Sequence, residues 1–382
     1  MLKVMTLVGT RPELIKMSRV IPALDANYNH IFVHSGQNYD YELNQVFFEE
    51  MEIRKPDYFL SVASETVAKT IAEILVKSDE LFEKEKPDAL LLYGDTNTCL
   101  AVIIAKRRKI PVFHMEAGNR CFDERVPEEL NRRVIDHLSD INIVLTEHAR
   151  RYLLREGIKP ETIFKSGSHM KEVLNYYRGK IEKSDIVTRL NLKVNTYFMV
   201  SIHREENVDD PKNLELLLES MSLLVEKFQK DVIVSTHPRT RKRLETQPLF
   251  NKLSSKIHFL KPFGFIDYIN LQKNSFCVLS DSGTITEESS ILNFPAITVR
   301  NMHERPEGMD IGSVIMSGLH PSDILSSVEI TVSNFNPERP NIVSDYDVDN
   351  VSLMIVKLIK SYTDYVNRVV WKKEKIGNRD DK

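Results

Sequence analysis

Short apolar runs alternate with stretches of roughly ten to eighteen residues of helical periodicity down almost the whole of this chain, a pattern that fits parallel sheets built from strand–helix units. In the first half the predicted strands are KVMTLVG (3–9), IFVHSG (31–36), ALLLYG (89–94), VFHMEAG (112–118) and INIVLT (141–146). Helices are expected to begin near Pro12, Asp40, Thr66, Asn97 and Pro127. Pro12 and Pro127 suit a first helical turn, where a missing N–H leaves no bond unmade. A polar stretch over residues 180–196 then breaks the rhythm and reads as a linker. The second series is YFMVSIH (197–203), DVIVSTH (231–237), IHFLKP (257–262), FCVLSDSG (276–283) and PAITVRN (295–301), again alternating with helices. Residues 351–373 carry a long amphipathic pattern with no strand after it. The expected class is therefore α/β, with two doubly wound domains at 1–180 and 197–350 and a C-terminal helix in 351–382, of a kind that often packs back on the first domain. The 382 residues also suit two domains at roughly 150 residues each. The chain has no repeat of the length that solenoids require.

Composition narrows the partners. Lys plus Arg is 52 and Asp plus Glu is 55, a formal net charge of −3, with both signs interspersed along the predicted helices. A nucleic-acid binder would carry a clustered basic excess, so no nucleic acid is expected. Cys99, Cys121 and Cys277 are too few and too scattered for a disulfide framework or a metal clip, and read as reduced thiols. The apolar run in MLKVMTLVGTRPELIK is too short for a signal peptide, and no window is long and apolar enough to span a membrane. A cytoplasmic protein with no membrane partner is the expectation.

In open parallel sheets ligands bind beyond the carboxyl ends of the strands, so the residues just after each apolar run are the informative ones. Here they are unusually polar: Gly9-Thr10-Arg11, Gly94-Asp95-Thr96 and His114-Met115-Glu116 in the first half, then His203-Arg204, His237-Pro238-Arg239 and Asp281-Ser282-Gly283-Thr284 in the second. Any one of these could be a helix cap or a turn. Six together imply a central cleft lined from both domains.

The individual motifs sharpen this. GTRPELIK has one glycine, so it is neither a GxGxxG dinucleotide fingerprint nor a P-loop; it offers two cations, Arg11 and Lys16. SDSGTITEESS reads as a helix N-terminus rich in hydroxyls, suited to a phosphate, with Glu288 placed to accept from ribose hydroxyls. A plain cap closed by a capping box through Glu287 is the alternative. His114-x-Glu116 is half of a zinc deaminase motif, but no PCxxC follows and no metal is expected. His203 and His237 end strands, and beside Arg204 and Arg239 they could contact a diphosphate. The first domain also supplies three carboxylates, Asp95, Glu116 and Glu128. Clustered carboxylates raise one another's proton affinity and can serve as acid and base near neutral pH, which suggests proton transfer to carbon.

These motifs taken together resemble the non-hydrolysing UDP-N-acetylglucosamine 2-epimerase family. The likeness runs from about residue 3 to 318 through GTRPELIK, YGDTNT, HMEAGNR, PEELNRR, HREEN, STHPR, SDSGTITEES and ERPEG. The resemblance implies two Rossmann-like domains arranged as in GT-B glycosyltransferases, a UDP-sugar substrate, no cofactor, no metal and a homodimer. It assigns Arg11, Lys16, Asp95, Glu116, Glu128 and His203 to the active site, and Ser282, Gly283, Thr284, Glu288, Arg305 and His237 to the nucleotide sugar.

The C2 hydrogen of an N-acetylhexosamine has no adjacent carbonyl, so simple deprotonation is not available. Elimination of UDP from C1 with the C2 proton gives a glycal, and re-addition with protonation on the other face inverts C2. The family's reaction is UDP-GlcNAc to UDP-ManNAc. Three features depart from the commonest pattern: the twelve-residue step from Glu116 to Glu128, HSGQNYDYELNQ in place of an element associated with a second, activating UDP-sugar, and Thr284 where a second glycine is frequent. They resemble the branch that converts UDP-2-acetamido-2,6-dideoxy-L-talose to UDP-N-acetyl-L-fucosamine. A glycosyltransferase on the same fold and a non-enzymatic sugar-nucleotide binder are competing classes, and neither has a use for three acid–base groups at strand ends.

Overall fold

Thirteen strands pair in two sheets whose every ladder is parallel, in a computed structural model that describes residues 1–36, 48–62 and 64–373. The helix expected near Asp40 and most of HSGQNYDYELNQ lie outside these residues. The chain divides into two units: Met1–Val173 with the C-terminal segment from Val348, and Leu174–Asp347.

The first unit holds β1 (Lys3–Val8), β2 (Asn29–His34), β3 (Tyr58–Phe59), β4 (Ala89–Tyr93), β5 (Val112–Ala117), β6 (Ile141–Val144) and β7 (Ile163–Lys165), in the order β3-β2-β1-β4-β5-β6-β7. Its strands read as unbroken apolar runs because both faces are covered; all five residues of β4 are buried. One face packs Met5, Leu7, Leu90, Leu92 and Val112 against Ile74, Phe82 and Val102 from neighbouring helices. The second unit holds β8 (Tyr197–Ser201), β9 (Asp231–Ser235), β10 (Ile257–Leu260), β11 (Cys277–Ser280), β12 (Ala296–Thr298) and β13 (Ile315–Met316), ordered β10-β9-β8-β11-β12-β13. Strands β3, β7 and β13 have two or three residues each, too few for a periodic signal, and were not expected from the sequence.

Residues 180–196 are more than a linker. The helix Met170–Lys183 runs into them and a short helix, Ile186–Arg189, follows. The terminal helix Val351–Val369 belongs to the first unit, where Tyr28 Oη donates to the Val356 carbonyl at 2.6 Å and Phe164 meets Tyr362 ring to ring at 4.6 Å.

Strand order reverses direction between β1 and β4 in the first sheet and between β8 and β11 in the second. At such points the loops leaving the two strands diverge and open a crevice. In the first unit one side chain ties these loops together. Glu13, on the helix Arg11–Met17, is buried; its Oε2 accepts from the Gly9 and Thr10 backbone N–H groups, and its Oε1 accepts from Thr96 Oγ1 at 2.7 Å. Gly9 makes room for the clamp, since a Cβ there would lie 2.1 Å from Thr98 Oγ1 and 2.6 Å from Ser35 Oγ.

Burial, with the charge of nearby Asp95 acting in the same sense, raises the Glu13 carboxyl from 4.5 to about 7 despite its three donors. The folded chain thus holds this proton more tightly than the unfolded chain does. Stability from the group is complete below its unfolded value and is lost as pH rises through about 7, by about 3 kcal/mol in all. Gln at position 13 can still accept the two N–H bonds and carries no charge to bury. Chemical denaturation across pH 5–8 is expected to show Glu13→Gln losing less stability toward pH 8 than the unmodified chain; equal slopes would contradict a buried, proton-retaining carboxyl.

Candidate active site

Strand ends β1, β4 and β5 bring the first unit's polar residues together. Lys16, one turn into the helix after β1, is buried and reaches Glu116 Oε2 with Nζ at 2.6 Å. Glu116 also accepts a hydrogen bond from Tyr93 Oη at the end of β4, and its Oε1 accepts from Asn119 Nδ2 at 3.2 Å. Its backbone lies in the left-handed region at φ 63, where β5 slips by one residue against β6 between Met115 and Ala117. A non-glycine residue there costs about 1–3 kcal/mol, and the bulge re-aims its side chain relative to the strand.

Asp95, in the loop after β4, pairs with Arg132 through Nε at 2.7 Å. Arg132 lies on the helix Pro127–Leu138 and also binds Glu129 at 2.9 Å, so one guanidinium bridges two carboxylates. Asn131, beside it, donates to the Asp95 carbonyl at 2.9 Å and to Asn97 at 3.1 Å. Glu128 sits on the first turn of that helix, half-buried. Its neighbour Glu129 is buried instead and also accepts from the Cys121 and Phe122 backbone N–H groups. Arg11 opens the helix after β1; burial works against its charge and nearby Glu50 supports it.

Behind this surface lies a second polar layer. His114 bridges Asp136 at 2.9 Å and the Gly94 carbonyl at 2.7 Å, while Asp136 also receives Arg120 at 2.7 Å and the Gly118 N–H at 3.1 Å. Arg120 completes the layer by forking onto Glu156 at 2.8 and 2.7 Å. His114 thus supports the β5 end from inside the fold, on a different set of partners from Glu116.

The second unit gathers its polar residues at β8 and β11. Asp281 is fully buried and accepts from the backbone N–H groups of His203 at 3.0 Å and Arg204 at 2.9 Å, and from Asn207 Nδ2 at 3.1 Å. His203 is exposed, with Nδ1 3.2 Å from Asp281. Ser282 and Thr284 share a hydrogen bond at 3.0 Å, and the helix Thr284–Leu292 starts beside them with Gly283 as its cap. Glu287 does not close a capping box there; it is buried and pairs with Arg305 at 3.0 Å. Glu288 is also buried and accepts from Gln272 Nε2 at 2.8 Å. His237 follows β9 and is exposed.

Thus Lys16 joins Glu116 at the end of β5, Asp95 joins Arg132 at the end of β4, and His203, Ser282, Gly283 and Thr284 gather around β8 and β11 in the second unit. Sequence reasoning quoted Glu13, Tyr93, Arg132 and Asp281 within motifs without giving them a role, and passed over His169, whose Nε2 lies 3.0 Å from the Tyr93 hydroxyl. The capping spacing from Thr10 to Glu13 and the place of Asp281 at a strand end were local signals; the others are defined by partners distant in the chain.

Comparison with known proteins identifies the family. A family model described as UDP-N-acetylglucosamine 2-epimerase matches residues 23–360. A UDP-N-acetylglucosamine 2-epimerase of Methanocaldococcus jannaschii is 38% identical over 339 residues, covering 87% of this chain and 93% of that protein. Among solved structures, the UDP-N-acetylglucosamine 2-epimerase from Rickettsia bellii is 55% identical with a TM-score of 0.92, covering 98% of this chain and all of the other. The M. jannaschii UDP-GlcNAc 2-epimerase in complex with UDP-GlcNAc and UDP is 35% identical with a TM-score of 0.88, covering 94% of this chain and 100% of that chain. The chain belongs to the UDP-N-acetylglucosamine 2-epimerase family, and by that membership it is an epimerase.

Proposed function

We propose that this chain inverts C2 of UDP-N-acetylglucosamine to give UDP-N-acetylmannosamine by eliminating and re-adding UDP. The observation that carries the reading is a pair of carboxylates at the ends of adjacent strands, Asp95 and Glu116, each held by its own buried cation at 2.7 and 2.6 Å. Both strand ends belong to the side of the sheet on which open parallel folds bind ligands.

In the first stage the C1–O bond breaks and UDP leaves with the electron pair, while the C2 proton passes to a carboxylate and its electrons form the C1–C2 double bond. In the second, UDP oxygen adds back to C1 and a proton is delivered to the other face of C2. No electron leaves the system, so no redox partner is required. Asp95, Glu116 and Glu128 share the two proton transfers. In the second unit His203 and the hydroxyls and N–H groups around Ser282, Gly283 and Thr284 suit a diphosphate, and in the first unit Arg11 offers a cation to the leaving group. Glu288, Arg305 and His237 complete the nucleotide side: Arg305 is fixed by Glu287 and Glu288 by Gln272, so the contacts they offer are preorganised. Cys99, Cys121 and Cys277 are buried thiols, which suits work in a reducing cytoplasm.

In D2O the product is expected to carry deuterium at C2, read by proton NMR; a product that keeps its original hydrogen would rule out elimination. Glu116→Gln and Asp95→Asn are each expected to lower turnover by roughly a hundredfold to ten-thousandfold with UDP affinity retained, measured by kinetics beside calorimetry. Normal turnover in either would remove that residue from the proton transfers.

Arg11→Ala is expected to slow epimerisation and to raise the amount of UDP released per epimerisation event. Chromatography of the reaction mixture measures both, and an unchanged ratio would mean that Arg11 does not hold the leaving group.

A further inference from the structure

Glu116 stands at one end of a buried chain of polar groups that the reaction scheme does not use. Its Oε2 accepts from both Lys16 Nζ, at 2.6 Å, and Tyr93 Oη. The Tyr93 hydroxyl in turn lies 3.0 Å from His169 Nε2. Tyr93 and His169 are 2% and 1% exposed, and their rings meet edge to face with centroids 5.2 Å apart. Lys16 Nζ also sits 5.4 Å from the centre of the Tyr93 ring, so the cation, the phenol and the imidazole form one packed group. His169 immediately precedes the helix Met170–Lys183, far from Glu116 in sequence, and its backbone carbonyl accepts from Val173 N–H at 3.1 Å.

A phenol has one proton to donate. An ionised carboxylate can only accept, so that proton goes to Glu116, and the contact with His169 is then made by an Nε2–H donating to the phenol oxygen. The direction of the whole chain is fixed: imidazole to phenol to carboxylate. With a cation and a phenol both aimed at Oε2, that oxygen is held in the negative form and in one position. Oε1 takes a longer bond, from the neutral Asn119 amide at 3.2 Å, and Oε2 is the oxygen that receives the cation and the phenol.

We propose that Tyr93 and His169 are positioning residues for Glu116, which hold Oε2 in place and keep the carboxylate ionised for its proton exchange with C2. The inference rests on Glu116 taking part in the epimerisation described above. In this arrangement His169 acts on the carboxylate through the Tyr93 hydroxyl. The charged and polar groups facing the Glu116 carboxylate include Lys16 from the helix after β1, Tyr93 from β4 with His169 behind it, and Asn119 from the loop after β5.

Tyr93→Phe removes the hydroxyl and keeps the ring. It is expected to lower kcat by about ten- to a hundredfold with little change in KM. Loss of a donor to the ionised carboxylate also moves the acidic limb of the pH–rate profile to higher pH. His169→Leu is expected to lower kcat less, and His169→Gln, whose amide can still donate to the phenol, to recover most of that loss. Because His169 acts through the hydroxyl, the double variant Tyr93→Phe with His169→Leu should be no slower than Tyr93→Phe itself, whereas two packing residues would lose activity additively. A Tyr93→Phe enzyme with unchanged kcat and an unmoved acidic limb overturns the proposal, as does an additive double variant. If Tyr93→Phe does not fold, the contrast between His169→Leu and His169→Gln decides: equal activity in the two overturns the proposal. The unmodified enzyme, run in parallel with UDP-N-acetylglucosamine in D2O, separates the two levels of the argument. Absence of C2 deuteration there defeats the epimerase reading itself, while normal deuteration with an indifferent Tyr93→Phe defeats only the relay.

Discussion

A buried carboxylate at each topological switch point is the constraint on which both units depend. Where strand order reverses, two neighbouring loops part company and their backbone N–H groups lose the partners that a continuing sheet would give them; each one left unmatched in the interior costs about 1–3 kcal/mol. Glu13 answers this in the first unit by accepting from Gly9, Thr10 and Thr96, and Asp281 answers it in the second by accepting from His203, Arg204 and Asn207. The solution is the same although the acid follows β1 in one unit and β11 in the other. Each acid joins the loop after the first strand of its sheet to the loop after the fourth, which is why the residues proposed for chemistry hold fixed positions on structures that would otherwise be mobile loops.

Around these staples the charges are arranged in opposed pairs rather than as an open field. Lys16 is committed to Glu116, Arg132 to Asp95 and Glu129, and Arg305 to Glu287. A single buried charge without a partner would shift its protonation or destabilise the fold by several kcal/mol, so the pairs are what allow acids to remain ionised at low exposure. The layer formed by His114, Asp136, Arg120 and Glu156 extends the same logic one step inward and fixes the end of β5 from behind.

Much of this was legible in the sequence because strands covered on both faces are unbroken apolar runs, and the polar residues that follow them stand out. Lys16, Asp95, Glu116 and Ser282 were visible for that reason. What escaped were features whose meaning lies in a partner elsewhere in the chain. In PEELNRR two adjacent glutamates look equivalent, yet the helix turns Glu129 inward to Arg132 and the Cys121 N–H and leaves Glu128 half-buried on the first turn. Tyr93 closes an apolar run and reads as core; its hydroxyl gains a role from Glu116 on the next strand and from His169, where the chain returns. The shortest strands, β3, β7 and β13, are set by their neighbours in the sheet and carry no pattern of their own.

The left-handed backbone at Glu116 sets two demands of the same position against each other. Conformation alone would favour glycine, or asparagine, at φ 63, and any carboxylate placed there gives up stability that those residues would recover. Its partner Lys16 is buried, so either replacement would leave that cation unpaired and offset the conformational gain with the cost of a lone buried charge. Stabilising this position therefore takes two changes together, a residue at home in the left-handed region at 116 and a neutral one at 16, and neither change alone recovers the strain.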